Sequence, residues 1–219
     1  MAPYSLQIEA IPAQLTGRRP GDFKTRRVLP RIVKNPAQVS NVTDRASLIA
    51  RQLAPLLSPG QTLLEIGAGK GHVARALKQA SGADIHLVDV VDYNETDLDL
   101  RVYDGTHLPF GDRSFDHALL VFVLHHTPDP LVVLAEALRV SRCGVIVVEN
   151  DVEGRLRQAL TRAVDSIPHW QHGVPICYHA QTIREWQALF ERLPVRVQLL
   201  SRFQVGWFWS NFVMRVERT

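Results

Sequence analysis

The stretch L-E-I-G-A-G-K-G-H, residues 64 to 72, decides the fold, because an apolar run ends there on three glycines at alternate positions, Gly67, Gly69 and Gly71. Before it, T-L-L-E-I (62 to 66) reads as a short buried strand; after it, H-V-A-R-A-L-K-Q-A (72 to 80) reads as a helix closed by Gly82. Strand, glycine turn and helix form the place where an open α/β sheet takes its ligand, at the carboxyl ends of the strands. Glycine there lets backbone approach the ligand where a Cβ would clash. A dinucleotide fold spaces its glycines G-x-G-x-x-G and rests a pyrophosphate on the helix N-terminus. In this chain the glycines recur at every second residue, and Glu65 stands two positions before Gly67. A fixed negative charge at that strand end repels a pyrophosphate and attracts a cation.

Outward from this turn the same alternation continues. Leu48, Ile49, Leu53, Leu56 and Leu57 fall at helical spacing after Thr43 and Asp44, which serve as N-cap candidates, and Pro59-Gly60 ends the run. D-I-H-L-V-D (84 to 89), L-R-V-Y (100 to 103), H-A-L-L-V-F-V-L (117 to 124) and G-V-I-V-V-E (144 to 149) read as strands. A helix opens at Asp129 as N-cap with Pro130 at its first position and runs to about Ser141. Strands so rich in Val, Ile and Leu, separated by helices, are those of a parallel sheet covered on both faces, so the fold class is doubly wound α/β. Only ten residues, V-V-D-Y-N-E-T-D-L-D (90 to 99), join the second strand to the third. That is too short for a helical crossover, and a loop with Asp92, Tyr93 and Asn94 near the ligand is expected. Farther on come a helical patch (152 to 164), an irregular His-, Trp- and Pro-rich segment (167 to 181) and a helix with a Thr182-x-x-Glu185 capping box. V-R-V-Q-L-L (195 to 200) and N-F-V-M-R-V (211 to 216) are linked closely enough to make an antiparallel hairpin.

The 219 residues suit one ordinary domain, 43–219, preceded by an arm, 1–42, that holds five prolines and no sustained period. Apolar residues make up 46% and charged residues 21%, and no apolar run approaches the length of a membrane span. The N-terminus has no basic start or continuous apolar core of a secretory signal, so a cytoplasmic location is expected. Cys143 and Cys177 are then read as free thiols. The net charge of +3 is unevenly spread: Arg18, Arg19, Lys24, Arg26, Arg27, Arg31 and Lys34 face one acid, Asp22, within the arm. Such an arm is either a solvated cover or a surface for an acidic partner.

E-x-G-x-G-x-G (65 to 71), D-G-T-H-L-P-F-G-D-R-S-F-D (104 to 116) and V-L-H-H-T-P-D-P (123 to 130), each at a strand end, resemble the motifs of class I S-adenosylmethionine-dependent methyltransferases. The resemblance spans about residues 43 to 150 and is to the small-molecule branch, methyltransferase type 11, which includes quinone-biosynthesis enzymes. It implies a Rossmann-like methyltransferase fold: a mostly parallel seven-stranded sheet with an antiparallel C-terminal hairpin. It also implies S-adenosyl-L-methionine as cofactor and S-adenosyl-L-homocysteine as product. Carried over by position, Glu65, Gly67, Ala68 and Gly69 take the methionine and ribose portion, and Asp89, with Val90 beside it, the ribose hydroxyls. Asp104 and the backbone of Gly105 take the adenine amino group. Hydroxyls and amines are donors that a carboxylate suits, although each aspartate has a competing reading as a turn or helix cap.

The acceptor side is less determined. An oxygen, nitrogen or stabilised carbon acceptor needs a proton acceptor, and His125 and His126 after the fourth strand are the catalytic candidates, with Glu149 and Asn150 after the fifth also at strand ends. The segment 167–181 is the expected lid or substrate wall, with Trp170, His172 and Tyr178 facing the acceptor. His169, His172, Cys177 and His179 match no standard zinc spacing, so no metal is expected. Trp207, Phe208 and Trp209 either pack on the sheet or grip an apolar acceptor, with packing favoured. The expected partner is a small apolar or aromatic methyl acceptor. Two alternatives stand beside it: an RNA or protein methyltransferase that uses the basic arm, and a catalytically silent cofactor-binding partner subunit. H-H-T-P in place of an N-P-P-Y-like tetrad speaks against the first, and intact Glu65, Gly67, Gly69, Asp89 and Asp104 against the second.

Overall fold

The computed structural model describes residues 42–154, 179, 181–205 and 209–219. Strands β1 (Thr62–Ile66), β2 (Asp84–Asp89), β3 (Leu100–Val102), β4 (His117–Val121), β5 (Val145–Asn150), β6 (Val195–Val205) and β7 (Trp209–Arg218) make one sheet in the order β3-β2-β1-β4-β5-β7-β6. β1 to β5 run parallel, while β7 inserts antiparallel between β5 and β6. Strand order reverses beside β1, with β2 and β3 on one side and β4 and β5 on the other, so a crevice opens at the carboxyl ends there.

Helices α1 (Val42–Leu53) and α2 (His72–Ser81) cover one face, burying Ile49, Leu53, Ala74 and Leu77 against Leu63, Leu87, Leu119 and Val148. Helices α3 (Pro130–Val140) and α4 (Ile183–Phe190) cover the other, where Leu134, Leu138, Trp186 and Phe190 meet Leu64, Ile66, Leu120 and Val147. Each such large side chain contributes about 1.5–3 kcal/mol on burial.

Local chemistry sets the boundaries. Gly82, at φ +70°, closes α2 with its N–H on the Lys78 carbonyl. The Asp129 side chain accepts from the Leu131 amide as α3 begins, and Thr182 with Glu185 forms the complete capping box of α4.

Several expectations need correction. Helix α1 starts at Val42, so Thr43 and Asp44 lie within it, and it ends at Leu53. Pro55, which has no N–H to give, stands in a 3-10 turn over Ala54–Leu56. β4 stops at Val121 because Phe122 takes φ +56°, and a 3-10 turn over Leu124–His126 follows. The hairpin strands are longer than the apolar runs that announced them, since cross-strand bonding continues through polar Ser201, Arg202 and Gln204. Val152 to Gly154 are not helical, and the remainder of the 152–164 patch lies outside the described residues. So do the arm before Val42, Trp170, His172, Cys177, Tyr178, Trp207, Phe208 and the Trp209 side chain.

Candidate active site

The glycine turn is tied to the end of β2, with the Gly67 and Ala68 amides donating to the Val88 carbonyl at 2.8 and 3.1 Å. Gly67, Gly69 and Gly71 all have positive φ, and their surroundings divide their roles. A Cβ on Gly67 would stand 2.6 Å from Val123 Cγ2, so this glycine lets the loop after β4 close on the turn. A Cβ on Gly71 would stand 2.7 Å from Asn94 Oδ1. Nothing lies within 4 Å of a Cβ on Gly69, which leaves that bend open to a ligand. Asp89 is buried and braces the bend: Oδ2 accepts from the Gly69 amide and Oδ1 from the Val90 amide, both at 2.7 Å. Each carboxylate oxygen keeps a second lone pair for a ligand hydroxyl.

Strand alternation turns Glu65, with Leu63, to the α1–α2 face beneath the first turn of α2. Its side chain is 2% exposed, and Oε2 has no hydrogen-bond partner among the described residues. Burial pushes its pKa up to about 8; the Ala74 amide opposes this and the nearby Asp89 charge adds to it. Glu65 thus holds its proton more tightly than an ordinary carboxyl, because burial disfavours the charge that its position at the strand end had suggested.

The ten residues between β2 and β3 form a loop, as the length required. Asn94 holds its shape, with Oδ1 accepting from the Thr96 amide at 2.9 Å and hydroxyl at 2.7 Å, and Nδ2 donating to the Leu98 carbonyl. Glu95 meets Lys70 Nζ at 2.6 Å and His72 Nε2 at 3.2 Å, pinning the loop across the start of α2. Asn94 lies at the glycine turn, while Asp92 is exposed and accepts from the Asn94 amide at 3.1 Å. Asp104 is exposed and acts as a turn cap, its Oδ1 taking the Thr106 amide and hydroxyl at 2.7 and 2.9 Å and the His107 amide at 2.7 Å. Those amides, that of His107 foremost, hold its carboxyl below the usual range. The competing cap reading is thus realised at Asp104, whereas Asp89 braces the glycine turn from the end of β2. Gly105, at φ +84°, brings the backbone against Val90, whose Cγ1 would lie 3.1 Å from a Cβ, and Val90 is 44% exposed.

On the α3–α4 face, β5 ends with Glu149 in line with Val145 and Val147. Glu149 Oε2 lies 2.6 Å from His125 Nδ1 and Oε1 accepts from the His125 amide at 3.3 Å, with both residues buried. The His126 ring is half-buried and stacks on His125 with centroids 3.9 Å apart. The two histidines, equivalent in sequence, thus occupy different environments. The His125 carbonyl accepts from the His179 amide at 3.1 Å, Gln181 from Val152 at 3.2 Å, and Asp151 Oδ1 from the Ile183 amide at 3.1 Å. Asp151, Val152, His179 and Gln181 are thus fastened together with His125 and Ile183 at this carboxyl edge.

Sequence reasoning missed three features. Phe122 bends the chain with a left-handed backbone that no glycine announces, Arg45 of α1 lies 4.6 Å over its ring, and Asp151 fastens α4. Glu149 had been noted, but not its pairing with His125. An open bend at Gly69, an unpartnered buried carboxyl and an acid at the end of β2 fit a ligand that carries hydroxyls and a positive charge.

The model of the family described as "Methyltransferase domain" matches residues 64–148. A demethylmenaquinone methyltransferase of Renibacterium salmoninarum is 32% identical over 145 residues, covering 58% of this chain and 61% of that protein. The chain thus spans less than two thirds of that relative's length. A second demethylmenaquinone methyltransferase, of Parafrankia sp., is 27% identical over 208 residues, covering 78% of this chain and 81% of that one. Among solved structures, YcgJ of Bacillus subtilis superposes with a TM-score of 0.62 at 14% identity, covering 80% of this chain and 99% of its own. A SAM-dependent methyltransferase of Aquifex aeolicus gives 0.57 at 17% identity, covering 83% and 98%. Fold, motif positions and family match converge: residues 64–148 carry a methyltransferase domain, and the chain is similar to S-adenosylmethionine-dependent methyltransferases and shares their fold.

Proposed function

We propose that this chain transfers a methyl group from S-adenosylmethionine to a small quinone-type ring. The observation that carries the cofactor half is Glu65, a buried carboxyl with an unpartnered oxygen on the strand that leads into the open Gly69 bend. The acceptor half rests on the relatives named demethylmenaquinone methyltransferase. In this reading Glu65, Gly67, Ala68 and Gly69 hold the methionine portion, Asp89 the ribose hydroxyls, and Val90, Asp104 and Gly105 border the adenine.

When bound, S-adenosylmethionine supplies an electrophilic methyl on a sulfonium, ready for in-line displacement. Glu65, a buried carboxyl with an unpartnered oxygen, would supply the counter-charge to that positive group. His125, held by Glu149, accepts the proton that the ring acceptor gives up as its new bond to the methyl carbon forms, and the electrons of the broken bond stay on sulfur. His126 forms a wall beside it.

The test is incubation with methyl-labelled cofactor and either reduced demethylmenaquinone or total RNA, followed by mass spectrometry. Label on the quinol supports the proposal; label on RNA alone overturns it.

A further inference from the structure

We propose that Glu149 is a positioning residue that keeps the His125 proton on Nδ1, so that Nε2 is the ring nitrogen that takes up a proton. This rests on the reading of His125 as the proton acceptor. A single carboxylate engages His125 twice, at Nδ1 (2.6 Å) and at the backbone amide (3.3 Å), fixing both the ring and the turn that carries it. Both contacts are buried, with Glu149 1% and His125 5% exposed, so little water competes for either hydrogen bond. The carboxylate itself is rigidly placed: Glu149 sits in β5 between β4 and β7, in register with Phe212. Among the described residues, the titratable neighbours in contact with His125 are Glu149 from β5 and His126 on the same turn, and the His179 amide donates to the His125 carbonyl.

The geometry also separates the two histidines. An ionised carboxylate accepts but cannot donate, so the imidazole nitrogen facing it must carry hydrogen. Once Nε2 takes a proton, the resulting imidazolium already faces its counter-charge and need not reorganise. Glu149 engages His125, and the His126 ring lies tilted by 46° against it with centroids 3.9 Å apart.

Long-range proton–nitrogen NMR of the histidines in the full chain reads the tautomer directly, with His125→Gln identifying the signals. The wild-type chain should show His125 as the Nδ1–H form at neutral pH. Glu149→Gln, whose amide can donate, should convert at least about half of it to the Nε2–H form, and Glu149→Asp should restore the original form. In the methyl-transfer assay Glu149→Gln should lower kcat at least about tenfold, the lower end of what proton transfer contributes, with KM for S-adenosylmethionine unchanged. An Nε2–H tautomer in the wild-type chain overturns the proposal without any variant, as does a folded Glu149→Gln whose tautomer and kcat match wild type. The tautomer reads the positioning and the cofactor KM reads the proposed function, so either can fail without the other.

Discussion

Replacing Glu65 with Gln should make the protein more stable, by an amount that grows with pH. The buried carboxyl is raised from its ordinary 4.5 to about 8. Below pH 4.5 it is protonated in both the folded and unfolded chain and contributes nothing to the pH dependence. Between that value and about 8 the unfolded chain is ionised while the folded chain holds the proton, so stability falls as pH rises. Above about 8 both are ionised and the penalty is constant. At ~1.4 kcal/mol for each tenfold change in proton concentration, the full penalty is ~3–5 kcal/mol. Glutamine keeps the shape and removes the charge, so urea unfolding of the two proteins should give a stability difference near its minimum at pH 4.5. That difference should widen through pH 6 and 7 and level off above 8. Contributions shared by both proteins cancel in it. A difference that stays constant from pH 4.5 to 8.5 would refute the burial argument.

Other consequences are open to measurement. Gly67→Ala adds a Cβ 2.6 Å from Val123 to the strain of a left-handed backbone and should cost ~2–5 kcal/mol of folding stability, whereas Gly69→Ala meets empty space and should cost only the ~1–2 kcal/mol of its left-handed backbone. Gly69→Ala should instead weaken S-adenosylmethionine binding in calorimetry, because its new methyl projects where the bend is open. Asp89→Ala should weaken cofactor binding by ~1–3 kcal/mol and raise proteolysis of the glycine turn, since it removes the brace on the Gly69 amide. His117 is held below its ordinary 6.5 by burial and then by Arg215, so it resists charging in the folded chain. Acidification through 6.5 therefore lowers stability, and His117→Gln should flatten that part of the profile in thermal unfolding.

Much of the fold was legible because its boundaries carry strong local chemistry. Gly82, Asp129-Pro130 and the Thr182–Glu185 box each end or begin a helix where the chain pattern placed it. β1 and β2 coincide with their apolar runs. β4 was overrun because Phe122, Val123 and Leu124 are as apolar as the strand itself, and the turn depends on a left-handed Phe122 imposed by packing. The glycine turn was legible where backbone demanded glycine, at Gly67 and Gly69. The behaviour of Glu65 was not, since its pKa is pushed up by a burial that only the packed helix α2 creates. The link between His125 and Glu149 joins positions 24 residues apart and exists only once β4 and β5 pair.

The central claim, a cationic, phosphate-free cofactor seated beside Glu65, is tested most directly by calorimetry with S-adenosylmethionine at pH 7 in buffers of different ionisation enthalpy. A neutral Glu65 that ionises beside the sulfonium should release nearly one proton per cofactor bound, Glu65→Gln should release almost none, and NAD should not bind comparably. Binding without proton release, or NAD binding as tightly as S-adenosylmethionine, would contradict it.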